Sequence, residues 1–314
     1  MATPEERDAA VTVTVEGLGH VYRGGTTALD GVDLEFGRGL FGLLGPNGAG
    51  KSTLMRIMCT LLVPTRGRVT VGGHDVVRRR RAVRSMLGYL PQEFGAWRLH
   101  RVEEVLDTLA LVSGLTDRSR RRTRVQQVLQ QVGLAEVADR KVKKLSGGMV
   151  RRLGVAQALV HEPRVIVVDE PTVGLDPQER LRFRKLMAEL GQDRTIVLST
   201  HIVADLGSSC RDIALIDGGK IVFRGSPVEL VSAAAGRVFE VTMAPAAAER
   251  LAAEYEVVSR AREGDLARLR AVSAGLRLPE GAQAVEAVSL EEAYLAFMAG
   301  RGRAGAAVVG EEGA

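Results

Sequence analysis

The nine residues Gly45-Pro46-Asn47-Gly48-Ala49-Gly50-Lys51-Ser52-Thr53 constrain this chain more than anything else in it. They fit the pattern G-x-x-x-x-G-K-[ST]. In that pattern a tight glycine turn points successive backbone N–H groups at one centre and opens into a helix with an electropositive N-terminus. Such a nest holds phosphate oxygens. Lys51 brings a full charge to the outer phosphates, and the Ser52 hydroxyl can hold Mg²⁺. The turn needs a buried strand before it and a helix after it. Both are expected: Phe41-Gly42-Leu43-Leu44 is apolar enough to be buried on both sides, and Lys51 to Leu62 carries helical spacing up to Pro64.

A second buried strand ends in acid. Four apolar residues, Val165-Ile166-Val167-Val168, run into Asp169-Glu170 and then Pro171. Carboxylates at the C-terminal end of a strand lie where open α/β sheets hold their ligands. Adjacent strand residues point opposite ways, so the two acids are expected to do different jobs. Asp169 is assigned to the Mg²⁺ side, and Glu170 to polarising an attacking water.

Residues 11–16 alternate with period two, 32–44 carry a strand signal that ends at Leu44, and 68–72 are strand-like. Between about 93 and 160 helical spacing takes over, at 101–114 and 120–132, which reads as a helical subdomain inserted in a sheet domain. Strand signals resume at 164–168 and 195–199, then at 212–216 and 219–223 as a hairpin around Asp217-Gly218-Gly219. Past Pro227 come a short helix at 228–235, an alternating strand at 238–243, and helical stretches near 246–253 and 289–299 with weaker strand signals between them. The expected organisation is a flexible N-terminus (1–10), an α/β domain with a mixed sheet core (11–226), a small α+β accessory domain (227–300) and a flexible tail (301–314).

Composition narrows the partners. Of the 314 residues 46% are hydrophobic, enough for a sizeable core, yet no run of 18 apolar residues occurs to cross a membrane as a helix. The polar, acidic start is unlike a secretory peptide. The two cysteines form no disulfide framework, so a reducing compartment is expected, with Cys59 a small buried hydrophobe in an apolar helical run. The net charge of +5 and the basic runs at Arg78–Arg84, Arg118–Arg124 and Lys141–Lys144 permit contact with nucleic acid or an anionic membrane face. The simpler reading of each run is a solvated helical face.

With the phosphate loop and the acidic strand in place, the remaining motifs resemble, in family order, those of the nucleotide-binding domains of ABC proteins, over about residues 11–226. Leu145-Ser146-Gly147-Gly148-Met149 looks like the family signature LSGGQ, with Met149 in place of the glutamine. Gln92, in Leu90-Pro91-Gln92-Glu93, matches the Q-loop glutamine. Gly174-Leu175-Asp176 matches the D-loop, and His201, in Leu198-Ser199-Thr200-His201, matches the switch histidine. Tyr22 sits where the family places an aromatic that stacks on adenine.

The resemblance implies a P-loop NTPase that hydrolyses ATP with Mg²⁺. Tyr22 and Gly45–Thr53 would bind the nucleotide, and Ser52, Asp169 and Gln92 would face the metal. Glu170, His201 and Gln92 would be catalytic. Ser146 and its glycines would reach the γ-phosphate held by an opposite cassette, with Asp176 at the dimer seam. Two cassettes, identical or different, would close head to tail on two ATP molecules and drive a separate transmembrane permease. The chain itself would sit peripherally at the cytoplasmic face of the membrane. The permease would insert a coupling helix near Gln92, where Phe94, Trp97 and Leu99 are either that dock or core packing.

The Phe41–Gly48 wording, the Arg151-Arg152-Leu153 that follows Met149, and Ser289–Leu295 are similar to efflux-type cassettes that pair with six-helix permeases. That implies export of a small-molecule or lipid-like substrate bound by the permease, with no nucleic-acid partner. The alternative is a soluble ABC ATPase acting on nucleic acid or ribosomes, which the basic runs would suit. Against it, the stretch from Gly50 to Ser146 leaves no room for the long coiled coil of repair members, and the chain holds one cassette. A GTPase is disfavoured because no Asn-Lys-x-Asp guanine motif occurs.

Overall fold

The computed structural model describes residues 11–93, 95, 97–206 and 210–302. The expected N-terminal segment, nearly all of the expected tail, and Phe94 lie outside the described residues. The chain divides into two compact units. The first runs to His201 and includes Asp205–Arg224; the second takes Ile202–Ala204 and the residues from Gly225 onward.

The first unit holds two sheets. The antiparallel sheet has the order β2 (Thr27–Phe36), β1 (Val13–Val21), β4 (Arg66–Val71), β5 (His74–Asp75). The second sheet has the order β10 (Lys220–Gly225), β9 (Cys210–Asp217), β3 (Gly39–Leu44), β8 (Thr195–Thr200), β7 (Val165–Asp169), β6 (Leu87–Leu90), with β9, β3, β8, β7 and β6 parallel. The single strand signal read over 32–44 is therefore two strands in different sheets, broken at Gly37-Arg38. The stacked rings of Phe36 and Phe41, 4.3 Å apart, join the sheets across that break.

Helix α1 (Lys51–Met58) lies in the core between them. Its Leu54, Met55, Ile57 and Met58 are buried with Val13, Val15, Val69 and Val71 of the antiparallel sheet and with Phe41, Leu43, Val165, Val167, Val197 and Ile216 of the parallel one. The alternate residues of the parallel strands, such as Leu44, Ile166, Val168, Leu198 and Leu215, are buried as well. Burial on both faces is why these strands read as continuous apolar runs rather than as alternation. α1 stops at Cys59, short of the expected Leu62, because Thr60 turns left-handed at φ 62°.

After β5 a short helix, α2 (Arg80–Met86), leads into β6 where the sequence shows only a run of arginines. The inserted helices are α3 (Val102–Val112), α4 (Arg118–Gln131) and α5 (Gly147–Leu159), followed after β7 by α6 (Pro177–Leu190). The basic run on α4 is not one solvated face. Arg121 turns inward to Asp107 Oδ1 (2.8 Å) and to the carbonyls of Leu115 and Thr116, and Arg124 donates to the carbonyls of Leu159 and Val160.

The second unit contains α7 (Pro227–Ala233), β11 (Val238–Met243), α8 (Pro245–Glu254), β12 (Glu256–Glu263), β13 (Leu266–Val272), β14 (Gln283–Ala284) and α9 (Leu290–Ala299). Its antiparallel sheet has the order β12-β13-β11-β14. Phe239, Val241, Leu251 and Leu269 form its core, with Tyr255 edge-on to Phe239 at 5.3 Å. α7 and α9 both begin with capping boxes, Ser226 with Glu229 and Ser289 with Glu292, which satisfy the first N–H groups of each helix. Burial alone would raise the Glu292 pKa, but the Arg270 guanidinium and the Ser289 N–H and hydroxyl hold it below the ordinary value.

Candidate functional site

The parallel register sets three strand ends side by side. Leu44 pairs with Thr200, and Asp169 pairs with Ser199, so the loop after β3, the residues after β8 and the acids at the end of β7 share one edge. This is the C-terminal edge, where ligands of α/β sheets bind.

The glycines of the loop are fixed by space and by backbone angle. A Cβ on Gly45 would lie 2.2 Å from the Ile216 carbonyl oxygen, and one on Gly50 would lie 2.5 Å from the Ala28 carbonyl oxygen. Gly48 and Gly50 adopt φ 79° and 108°, a region open to glycine at little cost. Gly50 is the N-cap of α1 and offers no side-chain cap, so no side chain competes for the N–H groups of Lys51, Ser52 and Thr53. Lys51, only 5% exposed, donates from Nζ to the carbonyls of Gly45 (2.6 Å) and Pro46 (3.1 Å). A buried ammonium over an uncapped helix start is the arrangement a polyphosphate fits.

β7 ends at Asp169, and Glu170 turns left-handed at φ 47°. A non-glycine residue in that region is strained, by about 1–2 kcal/mol, and persists only where its surroundings hold it. Here its N–H is within 3.1 Å of both the carbonyl and the hydroxyl oxygens of Ser199. The two acids do diverge, through this turn rather than by strand alternation. Asp169 accepts a 2.5 Å hydrogen bond from the Ser199 hydroxyl. Glu170 places Oε1 3.0 Å from Lys51 Nζ, an ion pair not aligned as a hydrogen bond, and Oε2 2.7 Å from His201 Nδ1. A carboxylate only accepts, so Nδ1 carries the hydrogen, and Nε2 donates only when the ring is protonated.

Lys51, Asp169, Glu170 and His201 are thus brought together, and Ser199 joins them. In the sequence Ser199 stands out only as context for His201; its one signal is a hydroxyl at the end of a buried strand. Tyr22 follows β1 and shares a 3.0 Å hydrogen bond between its hydroxyl and that of Thr53, while its ring stands edge-on to His20 and is 36% exposed. Gln92 is exposed, and what anchors it is its carbonyl, which accepts from Arg151 Nη1 at 2.7 Å.

Ser146 caps α5 by accepting from the Met149 N–H at 3.2 Å, and Leu145 precedes it in extended conformation. No hydrogen bond or ion pair joins Ser146 to Lys51, Glu170 or His201 among the described residues. A Cβ on Gly148 would meet the Glu179 carboxylate at 2.3 Å, whereas one on Gly147 would meet nothing within 4 Å. Asp176 is the N-cap of α6, accepting from the Glu179 N–H at 2.8 Å, with Glu179 also close to Arg152.

One buried carboxylate belongs to no motif in the sequence. Asp205 accepts from the hydroxyls of Thr172 and Thr200, which links the turn after Glu170 to the strand before His201. Burial raises its pKa above the ordinary 3.8, and the charge of Glu170 adds to this; the two hydroxyls and Arg180 act in the opposite direction. A carboxyl whose folded-state pKa is raised supports folding at low pH, and that support is lost as pH rises through the raised value. Asp205→Asn keeps an acceptor and removes the charge. Its melting temperature is expected to rise relative to the parent as pH goes from acid to neutral, by about 2–4 °C, the size of a 1 kcal/mol change in a domain of this class. Thermal melts at a series of pH values test this. A difference independent of pH would show that the charge plays no part.

The family description "ABC transporter" matches residues 29–173, a stretch that holds the loop, Gln92, Ser146 and Glu170. The daunorubicin resistance ATP-binding protein DrrA3 of Streptomyces coeruleorubidus is 37% identical over 237 residues, 75% of this chain and 74% of that protein. The Nod factor export ATP-binding protein I of Ralstonia nicotianae is 37% identical over 222 residues, covering 70% and 68%. The probable multidrug ABC transporter ATP-binding protein YbhF of Escherichia coli is 38% identical over 201 residues, which span only 35% of its length. Among solved structures, cbiO1 of Clostridium perfringens, part of the ABC transporter complex cbiONQ, has a TM-score of 0.64 at 28% identity, covering 70% of this chain and 90% of its own. A dimeric ATP-binding cassette in a post-hydrolysis state with ADP and Pi has a TM-score of 0.62 at 25% identity, covering 68% and 98%. Identity at this level across three quarters of DrrA3, joined to the phosphate loop and the acids facing it, makes the chain a member of the ABC transporter ATP-binding proteins, the ATPases of that family.

Proposed function

We propose that the chain is the ATP-hydrolysing subunit of an export system, acting as a head-to-tail pair of cassettes on a separate membrane permease. The observation that carries the hydrolytic part is Glu170, held in a strained turn between Lys51 and His201 at the edge where the phosphate loop opens.

Lys51 and the N–H groups at the start of α1 bind the β- and γ-phosphates, and Tyr22 lies beside the adenine. Mg²⁺, held by Ser52 and Asp169 with Gln92 facing it, would neutralise charge on the phosphates. Glu170 accepts a hydrogen bond from water and orients a lone pair at the γ-phosphorus. As the new P–O bond forms, the water's proton passes to Glu170, the bond to the bridging oxygen breaks and ADP leaves. His201 steadies Glu170 through Nδ1, and its Nε2, turned to the γ-phosphate, donates there when the ring is protonated. The work is positioning and charge stabilisation, with no covalent intermediate.

Gly147 supports the paired reading. Among the described residues nothing requires a glycine there, since a Cβ would meet open space, and Ser146 beside it is exposed. A close approach by the nucleotide of an opposite cassette would require one. Asp176 would lie at the same seam. Export follows the relatives named for drug resistance and Nod factor export. No helix among the described residues is long and apolar enough to cross a membrane, and we place the spans in the permease. Trp97 is 44% and Leu99 70% exposed just after Gln92, which favours the dock over core packing.

The test is affinity capture from native membranes with the full chain as Glu170→Gln plus ATP, alongside a version that also carries Trp97→Ala and Leu99→Asp. A multi-span membrane protein retained by the first and lost from the second supports the reading. Ribosomes or DNA in place of any membrane protein would overturn it and favour the soluble alternative.

A further inference from the structure

Residue 151 stands on the first turns of α5, in the helix that Ser146 caps. Its guanidinium is half-buried, and among the described residues no carboxylate lies within ion-pair distance of it. Its partners are main-chain carbonyls of two other segments. Nη1 donates to Pro91 (3.3 Å) and Gln92 (2.7 Å), and Nη2 donates to Glu170 (3.2 Å). Arg152, the next residue, faces elsewhere, donating to the carbonyls of Val132 and Gly133 and lying 3.5 Å from Glu179. The doublet that looks uniform in sequence therefore divides its contacts between two neighbourhoods.

Glu170 gives this arrangement its consequence. Its φ of 47° is unfavourable, and both peptide groups that flank it are held from outside: the N–H by Ser199 and the C=O by Arg151. If the second hold is released, the strained residue is free to relax toward extended backbone, which swings the carboxylate away from Lys51 and His201. A planar guanidinium can bridge two segments with a fixed fork; a lysine ammonium is a point charge without that geometry.

We propose that Arg151 is a positioning residue for hydrolysis: it fastens the main chain at Gln92 to the main chain at Glu170, so that these two segments and the helix capped by Ser146 move as one. The inference rests on the reading of Glu170 as the group that orients water. Burial lowers the Arg151 pKa from its ordinary value while Asp169 opposes this, and the group remains a cation throughout the working range.

The test compares the full chain with Arg151→Ala, Arg151→Lys, Glu170→Gln and the Arg151→Ala/Glu170→Gln pair. For each, ATP turnover, ATP affinity by titration calorimetry and the nucleotide-free melting temperature are measured. Arg151→Ala is expected to lower kcat by about 10²-fold, the scale of a displacement of roughly 1 Å in a reacting group. Its ATP affinity should stay within about twofold of the parent, the mark of an interaction used only in turnover. Arg151→Lys should also fall well below the parent, and it carries the test if the alanine variant does not fold. The double variant should bind ATP as Glu170→Gln does. Parental turnover in both Arg151 variants, or ATP affinity lost in step with kcat, would overturn the proposal while leaving Glu170 untouched. Persisting hydrolysis in Glu170→Gln would instead overturn the reading of Glu170 itself.

Discussion

Glu170→Gln is expected to lower ATP turnover by about 10²–10⁴-fold, the range for loss of a general base, with ATP still bound. The substitution is nearly isosteric. A glutamine oxygen still accepts from His201 Nδ1, which now lies 2.7 Å from Oε2, and the Ser199 hold on the backbone of residue 170 is unchanged. Lys51 keeps the carbonyls of Gly45 and Pro46 as partners, so the phosphate loop stays formed. What is lost is the negative charge that draws hydrogen from water. Phosphate release assays measure the loss, and ATP-dependent dimerisation in size-exclusion chromatography measures what remains. In the proposed cycle hydrolysis opens the pair, so the variant should accumulate as an ATP-bound dimer. Turnover close to that of the parent would sink the assignment.

Lys51→Ala should act on binding. A charged hydrogen bond contributes about 1.5–3 kcal/mol, equivalent to a roughly 10–10²-fold loss of ATP affinity. The structure argues for the upper end or beyond. Lys51 and Glu170 form an ion pair in which each side chain is 5% exposed. Removing the cation leaves a buried carboxylate short of its counter-charge, facing the place where the γ-phosphate would arrive. Calorimetric titration with Mg-ATP is the measurement, with circular dichroism melts to show that the variant folds. Affinity within about threefold of the parent, less than the weakest charged bond in that range is worth, would mean that the helix start alone holds the phosphates.

These variants separate two roles that the linear sequence could only suggest. The motif Gly45–Thr53 and the run Val165–Glu170 are local patterns, and they were legible because each is complete within a strand and the turn that follows it. The short helix after Pro227, the strand at 238–243 and the helix near 289–299 were legible for the same reason. Signals that stay the same across a change of sheet were not. Apolar residues continue through 32–44, yet Phe36 and Leu40 belong to different sheets, because periodicity records burial and not the neighbour that provides it. β6 has four residues and α2 has seven, too few to build a period of their own.

By itself the sequence determined the phosphate loop, the acidic strand end, the first two inserted helices and the order of elements in the C-terminal unit, because local sterics and burial patterns suffice for each. The tertiary structure alone decided that β8 lies between β3 and β7, which puts His201 against Glu170 and Ser199 under Asp169. Strand order depends on how crossovers pack, and nothing within a strand encodes it. The left-handed turn at Glu170 and the inward course of Arg121, Arg124 and Arg151 were decided in the same way. An arginine on a helix looks identical in sequence whether it meets water or the open carbonyls of another segment, and only the packed fold supplies those carbonyls.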